Sequence, residues 1–508
     1  MTLAAGLSIA TGGLANIDRQ LALLAHNVSN ASTPGYVREA ATQTALTANG
    51  VGLGVQPGPA SRDLDVNLRD QLWLQSATSA GFQTEATALS AIDALNGAPG
   101  AGQDLASRLG ALRDAFSTLA TNPADQTGQR SAVDAAKSLV QTINALSTGY
   151  TAQRQAAQDA ARADIDTLNQ TLSQIGTISN QIIALKSRGE STADLENQRD
   201  AAVTKISQLV AVKSLAQPNG DLLLVTPQGL SLPTRGASAT FSLAGTNMQP
   251  GAYYPAGDAP GIMLGGVDVT QQFGAGRIGS EVALRDTILP GYQAGLDEFA
   301  ETLSQRFDAQ GLRLFTDPTG SVPPSGGAPV QTGYVGYAAV IGVNTIVDAN
   351  AALLRDGTHT VAGSPTGASA FTPNPATGPA GFTTLIRRVL DFALGAEVQA
   401  GVANQAPNVA GLGPTGTLSL TFSAPATLAE FATDLVAAQS ANSARTTADL
   451  KSAAALQSTL QAKFDARTSV DMDTEMALMV QLQNAYAANA RVLTTVQTMW
   501  DQLLGAVK

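Results

Sequence analysis

The stretch that decides the fold is the N-terminal segment LAAGLSIATGGLANIDRQLALLAHNV, residues 3–28. Its apolar residues recur with alternating spacings of four and three, the pattern of a helix that packs along one seam against a partner helix. A Pro-Gly pair at 34–35 then ends the helix. The seam consists of Leu3, Leu7, Ala10, Leu14, Ile17, Leu21, Leu24 and Val28.

The last segment of the chain carries the same pattern. Asn489 is the one polar residue in its seam, and a single Asn there fixes the register of a helix pair at some cost in stability. Three acidic residues in 471–475 precede the seam and indicate a helix start, where negative charge complements the backbone dipole. The seam consists of Met479, Leu482, Tyr486, Asn489, Leu493, Val496, Trp500, Leu503 and Val507.

Neither terminal helix is expected to be stable alone. The backbone entropy lost when one such helix orders exceeds what burial of a single apolar seam returns. We therefore expect each end of the chain to be loosely ordered until it meets the opposite end or a neighbouring subunit.

The chain between the two ends divides by its hydrophobic periodicity. We expect an N-terminal axial helix and linker at 1–76, a helical domain at 77–210, an inserted β domain at 211–280, the second part of the helical domain with Gly/Pro-rich loops at 281–465, and a C-terminal axial helix at 466–508. An Asn-Gly turn at 219–220 predicts a hairpin within the β domain. The predicted fold class is mainly α with a small inserted β domain, elongated and multi-domain, with terminal helices of the coiled-coil type. This nesting places both chain ends at one pole.

Composition excludes several classes of function. The 508 residues carry a net charge of −11, which disfavours binding to nucleic acid or to an anionic membrane surface. There is no cysteine, so disulfides and thiolate chemistry are excluded. The N-terminus has neither the basic region nor the apolar run of a cleaved signal peptide, and no segment is long and apolar enough to span a bilayer.

Candidate catalytic motifs fail when their context is considered. Gly411–Gly416 matches the dinucleotide-binding string but precedes a strand-like run, so it is interpreted as a turn. Asp471–Glu475 begins like a calcium loop but lacks the later Gly and Glu, which leaves a helix cap. The histidines, His26 and His359, are interpreted as ordinary surface residues because no carboxylate is placed in sequence to orient them. We expect no enzyme activity, no cofactor and no metal.

The segment Asn27-Val-Ser-Asn30-Ala-Ser-Thr33-Pro34-Gly35-Tyr36-Val37-Arg38 resembles the signature of the flagellar rod, hook and hook-associated proteins, which follows an amphipathic helix. The C-terminal stretch from Ser469 to Val507 is similar to the matching C-terminal domain of that family. The helical block at 77–210 and the segment Arg285–Leu296 are similar to the members that sit at the hook–filament junction. At Asn489 small residues are common in relatives.

The resemblance implies a structural subunit that connects hook and filament in the bacterial flagellum. It implies partners: further copies of the chain in a homo-oligomeric ring, the hook protein, a second hook-associated junction protein, and an export chaperone at the C-terminal helix. It also implies export to the extracellular flagellum by the type III route without a cleaved signal peptide. Alternatives are another axial subunit, such as a hook or distal rod protein, a cell-wall hydrolase, and an additional adhesive role for the β domain.

The residues expected to carry assembly are those of the two seams and of the turn between helix and body. They are Leu3, Leu7, Leu14, Ile17, Leu21, Leu24, Asn27, Asn30, Thr33, Pro34, Gly35, Tyr36, Met479, Leu482, Tyr486, Leu493, Val496, Trp500 and Leu503.

Overall fold

A computed structural model of the chain describes residues 3–33, 35–48, 51–97, 102–235, 240–255, 257–324 and 326–506. Long helices dominate it. The helices are α1 (Leu3–Asn30), α2 (Val66–Asn96), α3 (Leu105–Thr121), α4 (Gln126–Ser187), α5 (Ala193–Leu209), α6 (Arg277–Ala283), α7 (Leu289–Ala309), α8 (Thr345–Ala349), α9 (Leu353–Asp356), α10 (Thr384–Arg388), α11 (Leu428–Thr468) and α12 (Met472–Ala506). One π-helical turn, Leu284–Ile288, joins α6 to α7, and another, Val389–Ala393, follows α10.

The strands are short and pair only in small antiparallel sheets among the described residues. They are β1 (Glu39–Ala40), β2 (Gln43–Ala48), β3 (Val51–Pro57), β4 (Ser61–Arg62), β5 (Lys213–Ala216), β6 (Leu222–Val225), β7 (Ser231–Leu232), β8 (Phe241–Leu243), β9 (Ile262–Leu264), β10 (Val267–Asp268), β11 (Phe315–Thr316), β12 (Gly342–Val343), β13 (Glu397–Gln399), β14 (Val402–Ala403), β15 (Ala410–Leu412) and β16 (Leu418–Ser419). This confirms a mainly α fold with a small inserted β region.

Two separate apolar cores are built on the same long helix. The first half of α4 packs with α3, α7 and α11 around a set of aromatic rings that includes Phe116, Phe299 and Phe431. The second half of α4 packs with α5 and the inserted strands around Leu168, Val203 and neighbouring residues. At 62 residues, α4 is about 90 Å long, so one element runs through both cores.

The ends of the long helices follow ordinary capping chemistry. The Asp125 side chain accepts hydrogen bonds from the Thr127 and Gly128 backbone amides at the start of α4. Thr427 and Glu430 form a reciprocal capping box at the start of α11. Each cap satisfies backbone N–H groups that have no partner inside the helix.

The inserted β region consists of two three-stranded sheets, ordered β5-β6-β7 and β8-β9-β10. The predicted hairpin is confirmed, because Lys213 pairs with Val225 and Ala216 with Leu222 across the 217–221 turn. Gly220 has φ +95°, a conformation that glycine adopts without steric cost. Gly411–Gly416 runs from the end of β15 into the turn that leads to its partner strand β16, and its sequence context had predicted a turn.

The N-terminal segment differs from the simple helix and linker expected for 1–76. β2 and β3 form a hairpin that lies along α1, and α2 begins at Val66 instead of near residue 77. The second half of the chain also differs, because residues 315–419 contain short strand pairs and one-turn helices among their loops. None of the described helices combines the length and apolarity that a membrane crossing requires.

Candidate assembly site

The two terminal helices form an antiparallel pair. Ile17 and Leu24 on α1 and Leu482 on α12 are buried together, with half-buried apolar side chains around them. Those flanking residues are Leu21, Val28, Leu478, Met479 and Ala485. The predicted seams therefore meet each other within one chain over this region.

The apolar residues of α1 form two lines, in each of which successive residues are seven positions apart, and only one line is fully buried. Ala10, Ile17 and Leu24 are 2%, 6% and 2% exposed, whereas Leu7 in the other line is 39% exposed and Leu14 is half-buried. The side chain of Leu3 lies outside the described residues. The second line is therefore buried only in part, and Leu7 is its exposed member on the surface of the single subunit.

Glycines on α1 face the second seam. A Cβ atom built at Gly6 would lie 3.8 Å from Cγ2 of Val496, and one built at Gly13 would lie 3.1 Å from Oδ1 of Asn489. Gly13 therefore makes the room that the Asn489 side chain needs. The amide nitrogen of Asn489 donates to the Ala485 carbonyl oxygen at 3.0 Å, so the polar group in the seam is satisfied within its own helix.

The C-terminal third of α12 is open. Leu493 and Val496 are half-buried, but Tyr486, Trp500 and Leu503 are 41%, 47% and 51% exposed. Trp500 and Leu503 continue the stripe that packs on α1 further upstream. The single subunit thus leaves a large apolar surface in contact with solvent, which is typical of a face that a partner covers.

Asn27 organises the turn that follows α1. Its side chain is 2% exposed, and its amide group pairs with both backbone groups of Glu39: Nδ2 donates to the carbonyl oxygen at 2.9 Å, and Oδ1 accepts from the N–H at 3.0 Å. The Tyr36 hydroxyl donates to the same Oδ1 at 2.9 Å. Burial and the nearby Glu39 carboxyl raise the pKa of Tyr36, which keeps this hydroxyl a donor.

The remaining motif residues shape the same turn. The amide nitrogen of Asn30 donates to the His26 carbonyl oxygen at 3.0 Å, and Thr33 Oγ1 donates to Asn30 Oδ1 at 3.2 Å. Gly35 has φ +76°, so a glycine suits this position. Pro34 lies outside the described residues.

Arg38 joins the turn to the start of α12. Its backbone N–H donates to the Thr468 carbonyl oxygen at 2.9 Å, and its guanidinium forms an ion pair with Glu475, whose side chain is 1% exposed. Asp471 accepts hydrogen bonds from the Asp473 and Thr474 amides, which confirms the predicted cap at 471–475. Glu475 lies in the first turn of α12 and also binds Arg38, a contact that its position in the sequence did not indicate.

A polar cluster on α5 and β4 fixes the turn to the body. Asn197 Nδ2 donates to the Val37 carbonyl oxygen at 3.2 Å, and Arg62 Nη1 donates to Asn197 Oδ1 at 3.0 Å. Arg62 also pairs with Asp200 at 2.9 Å. Sequence reasoning missed Asn197, Arg62 and Asp200, since nothing in their local sequence connects them to the motif, and Asn197 and Asp200 lie about 160 residues away from it.

His26 is better surrounded than the sequence suggested. Its Nδ1 lies 3.2 Å from the Tyr36 hydroxyl and 3.9 Å from Glu39 Oε2, and its Nε2 lies 3.9 Å from Asp194 Oδ1. The expectation that no carboxylate would flank it was therefore wrong, because folding brings α5 against the turn. Burial raises the pKa of Glu39 despite the opposing effect of His26. His359 likewise has a carboxylate nearby, with Nε2 3.7 Å from Asp308 Oδ1.

Clefts elsewhere in the structure do not bring together the ligand sets that metal ions require, over the part of the chain that the structure describes. No group of three or more metal-ligating side chains comes together in them. A cavity of about 250 Å³ beside α7 is lined by Glu298, Glu301 and Arg306, with loop residues 403–408 opposite. Burial, followed by the neighbouring Glu298, raises the pKa of Glu301 to about 8.

Comparison with known proteins matches two parts of this architecture. Residues 89–318 match the family model described as the flagellar hook-associated protein FlgK helical domain. Residues 462–506 match the model of the flagellar basal body rod FlgEFG protein C-terminal domain. The second match covers the end of α11 and all of α12, and the first extends from the end of α2 to β11.

Individual relatives, each matched over about half of the chain, agree with the domain matches. Flagellar hook-associated protein 1 of Bacillus subtilis is 27% identical over 241 residues, covering 44% of this chain and 46% of that protein. The protein of that name from Escherichia coli is 23% identical over 312 residues, covering 59% of this chain and 56% of that protein. The chain thus spans about half the length of these relatives. The structure of the flagellar hook junction protein FlgK from Burkholderia pseudomallei is 25% identical with a TM-score of 0.40, covering 50% of this chain and 46% of that one.

A helical body similar to the hook-associated helical domain, followed by a C-terminal helix similar to that of rod and hook proteins, indicates the class: the chain resembles the axial proteins of the bacterial flagellum. Within that class, the matched parts of the chain are similar to the hook-associated proteins, and in particular to hook-associated protein 1.

Proposed function

We propose that this chain is a structural subunit at the hook–filament junction, where it connects the hook to the filament. The observation that carries the proposal is the terminal helix pair, held to the body through Asn27 and Arg38 while the apolar end of α12 stays uncovered. The body of such a subunit has buried apolar cores of its own, whereas its terminal helices leave apolar side chains uncovered. Its function is then mechanical and non-enzymatic, in keeping with relatives that are structural flagellar proteins.

The predicted assembly residues take two roles in this proposal. Residues of the α1–α12 seam hold the two ends of one chain together. Residues that remain exposed contact neighbouring subunits. The first group contains Ile17, Leu21, Leu24, Met479 and Leu482, and the second contains Leu7, Tyr486, Trp500 and Leu503.

The proposed partners are further copies of this chain in a ring, the hook protein below it, and a second hook-associated junction protein above it. An export chaperone would cover the exposed stripe of α12 before assembly, because such a stripe is an aggregation hazard in a monomer. Export through the flagellar type III route, without a cleaved signal peptide, would deliver the chain to the extracellular structure.

The test is a deletion strain viewed by electron microscopy. We expect hooks without filaments, with flagellin released into the medium, and restoration of filaments by the wild-type gene. Filaments of normal length on the deletion strain would contradict the proposal. Cells that lack hooks altogether would instead indicate a hook or distal rod protein.

A matched pair of variants tests the surface. Trp500→Glu places a charge in the exposed apolar stripe and should abolish complementation. Gln497→Glu adds the same charge to an exposed polar position three residues away and should complement normally. Equal complementation by both variants would exclude this stripe as an assembly surface.

A further inference from the structure

Two carboxyl groups meet where α6 packs on α4. Asp164 on α4 is 5% exposed and Glu281 on α6 is 2% exposed. Nη2 of Arg277 lies 2.7 Å from Asp164 Oδ1 and forms an ion pair with it. The Arg277 guanidinium thus lies at a site that contains two buried carboxyl groups.

The described residues supply too few hydrogen-bond donors for the oxygen atoms of this carboxyl pair. Oδ2 of Asp164 and Oε2 of Glu281 are enclosed, and no described residue donates to either atom. The two carboxyl groups lie close enough that the Asp164 charge helps to raise the pKa of Glu281. Two ionised carboxylates this close repel each other strongly, whereas one proton between them supplies the missing donor and removes the repulsion.

Charged groups on the surrounding elements are already engaged. On α2, Glu85 accepts a hydrogen bond from Ser280 Oγ at 2.8 Å. In the π-helical turn, Arg285 is paired with Asp286 at 2.6 Å. On the α5 side the groove beside Glu281 is lined by the uncharged Gln208. Arg277 is therefore the cation that stabilises this pair, and it is bound to Asp164.

We propose that Asp164 and Glu281 share one proton in the folded protein, and that loss of this proton releases α6 from α4. The shared proton then acts as a lock at the point where the chain returns from the β region to the helical body. Release widens the groove of about 540 Å³ between α2 and α4, whose wall includes Glu281.

The raised pKa of Glu281 sets the direction in which the stability of the fold depends on pH. Burial, and then the Asp164 charge, raise the pKa of Glu281 to about 9 from its ordinary value near 4.5. The folded protein therefore holds a proton that the unfolded chain has already lost between those two values. Stability from this group is fully present below the ordinary pKa and declines as pH rises toward about 9.

Hydrogen exchange of the α6 amides in the full chain tests the lock. For one linked proton, the opening equilibrium of α6 should rise by up to about tenfold per pH unit between pH 6 and 8, after correction for intrinsic exchange. Glu281→Gln replaces the shared proton with a permanent amide donor and should flatten this dependence. Asp166→Asn removes the same charge from an exposed position on α4 and should retain the wild-type slope.

A spectroscopic readout keeps the test independent of variant folding. Infrared difference spectra of the wild-type chain between pH 7 and 10 should show a protonated carboxylic acid that disappears on alkalinisation. Absence of that signal would overturn the proposal, as would identical exchange slopes in wild type and Glu281→Gln.

Discussion

At the residue scale, one amide side chain carries most of the turn that follows α1. Asn27 pairs with both backbone groups of Glu39 in the manner of a strand neighbour, and it also receives the Tyr36 hydroxyl. Asn30, three residues on, bonds within its own helix and its own loop. The two asparagines of the motif are therefore unequal: Asn27 fixes tertiary structure, and Asn30 ends a helix.

Replacing Asn27 by Ala should loosen this turn while Asn30→Ala should not. The first change removes the side-chain partner of both Glu39 backbone groups and one of the two partners of the Tyr36 hydroxyl, at a cost of about 2–4 kcal/mol. The second costs about 1 kcal/mol or less, because its groups are partly exposed. Limited proteolysis between residues 27 and 38 measures the difference, and equal cleavage of both variants would contradict it.

Adjacent glycines in α1 give a second comparison. Gly12→Ala should stabilise the helix by up to about 1 kcal/mol, since a Cβ there meets nothing within 4 Å. Gly13→Ala gains the same propensity but presses on Asn489 Oδ1, so its thermal midpoint should rise less or fall. Adding Asn489→Ala to Gly13→Ala should recover the gain, and a failure to recover it would show that Asn489 is not the obstacle.

Sequence reasoning found the motif residues because their signal is local. Asn, Thr-Pro-Gly and an aromatic residue within twelve positions predict a helix stop and a turn. Arg62, Asn197 and Asp200 have no such signal, since their role depends on α5 and β4 meeting the turn in three dimensions. The same explanation applies to His26, whose carboxylate neighbours come from other elements.

At the element scale, Arg38 joins the start of α12 to the turn that follows α1. Arg38→Met should detach the start of α12, because it leaves the nearly buried Glu475 carboxylate without its guanidinium. Removing one partner of such a pair costs about 3–5 kcal/mol when both are buried, and somewhat less here because Arg38 is one-third exposed. Hydrogen exchange at residues 472–482 measures the detachment.

A double variant provides the control for that prediction. Arg38→Met combined with Glu475→Leu removes both charges and should restore much of the protection of α12. If the double variant is as unprotected as the single one, the Arg38 stem, and not its charge, holds the helix.

Element boundaries were predicted unevenly for physical reasons. The heptad helices were recognisable because a seven-residue repeat sustained over about four heptads is rare by chance. The β2–β3 hairpin was not, because its strands are rich in Thr, Ala and Gly and its apolar residues are exposed, as in Leu46 and Leu53. The early start of α2 depends on the Asp65 cap, one polar residue that resembles any other in a linker.

At the scale of the whole molecule, the two tryptophans separate the body from the ends. Trp73 is 2% exposed in the body, and Trp500 is 47% exposed on α12. We expect heating of the monomer to melt the terminal pair first, since its buried cluster is far smaller than the two body cores. Trp73 emission in a Trp500→Phe variant should shift only in a later, second transition. Coincident loss of helical circular dichroism and Trp73 emission would contradict this order.

The length of α4 has a mechanical consequence. Because one uninterrupted helix passes through both cores, a twist applied to the inserted sheets reaches the aromatic core through a hydrogen-bonded rod, without crossing a flexible loop. The sheets and the aromatic core should then rotate as one stiff lever about the turn at Asn27. The subunit would then bend mainly at that turn and only a little within the body.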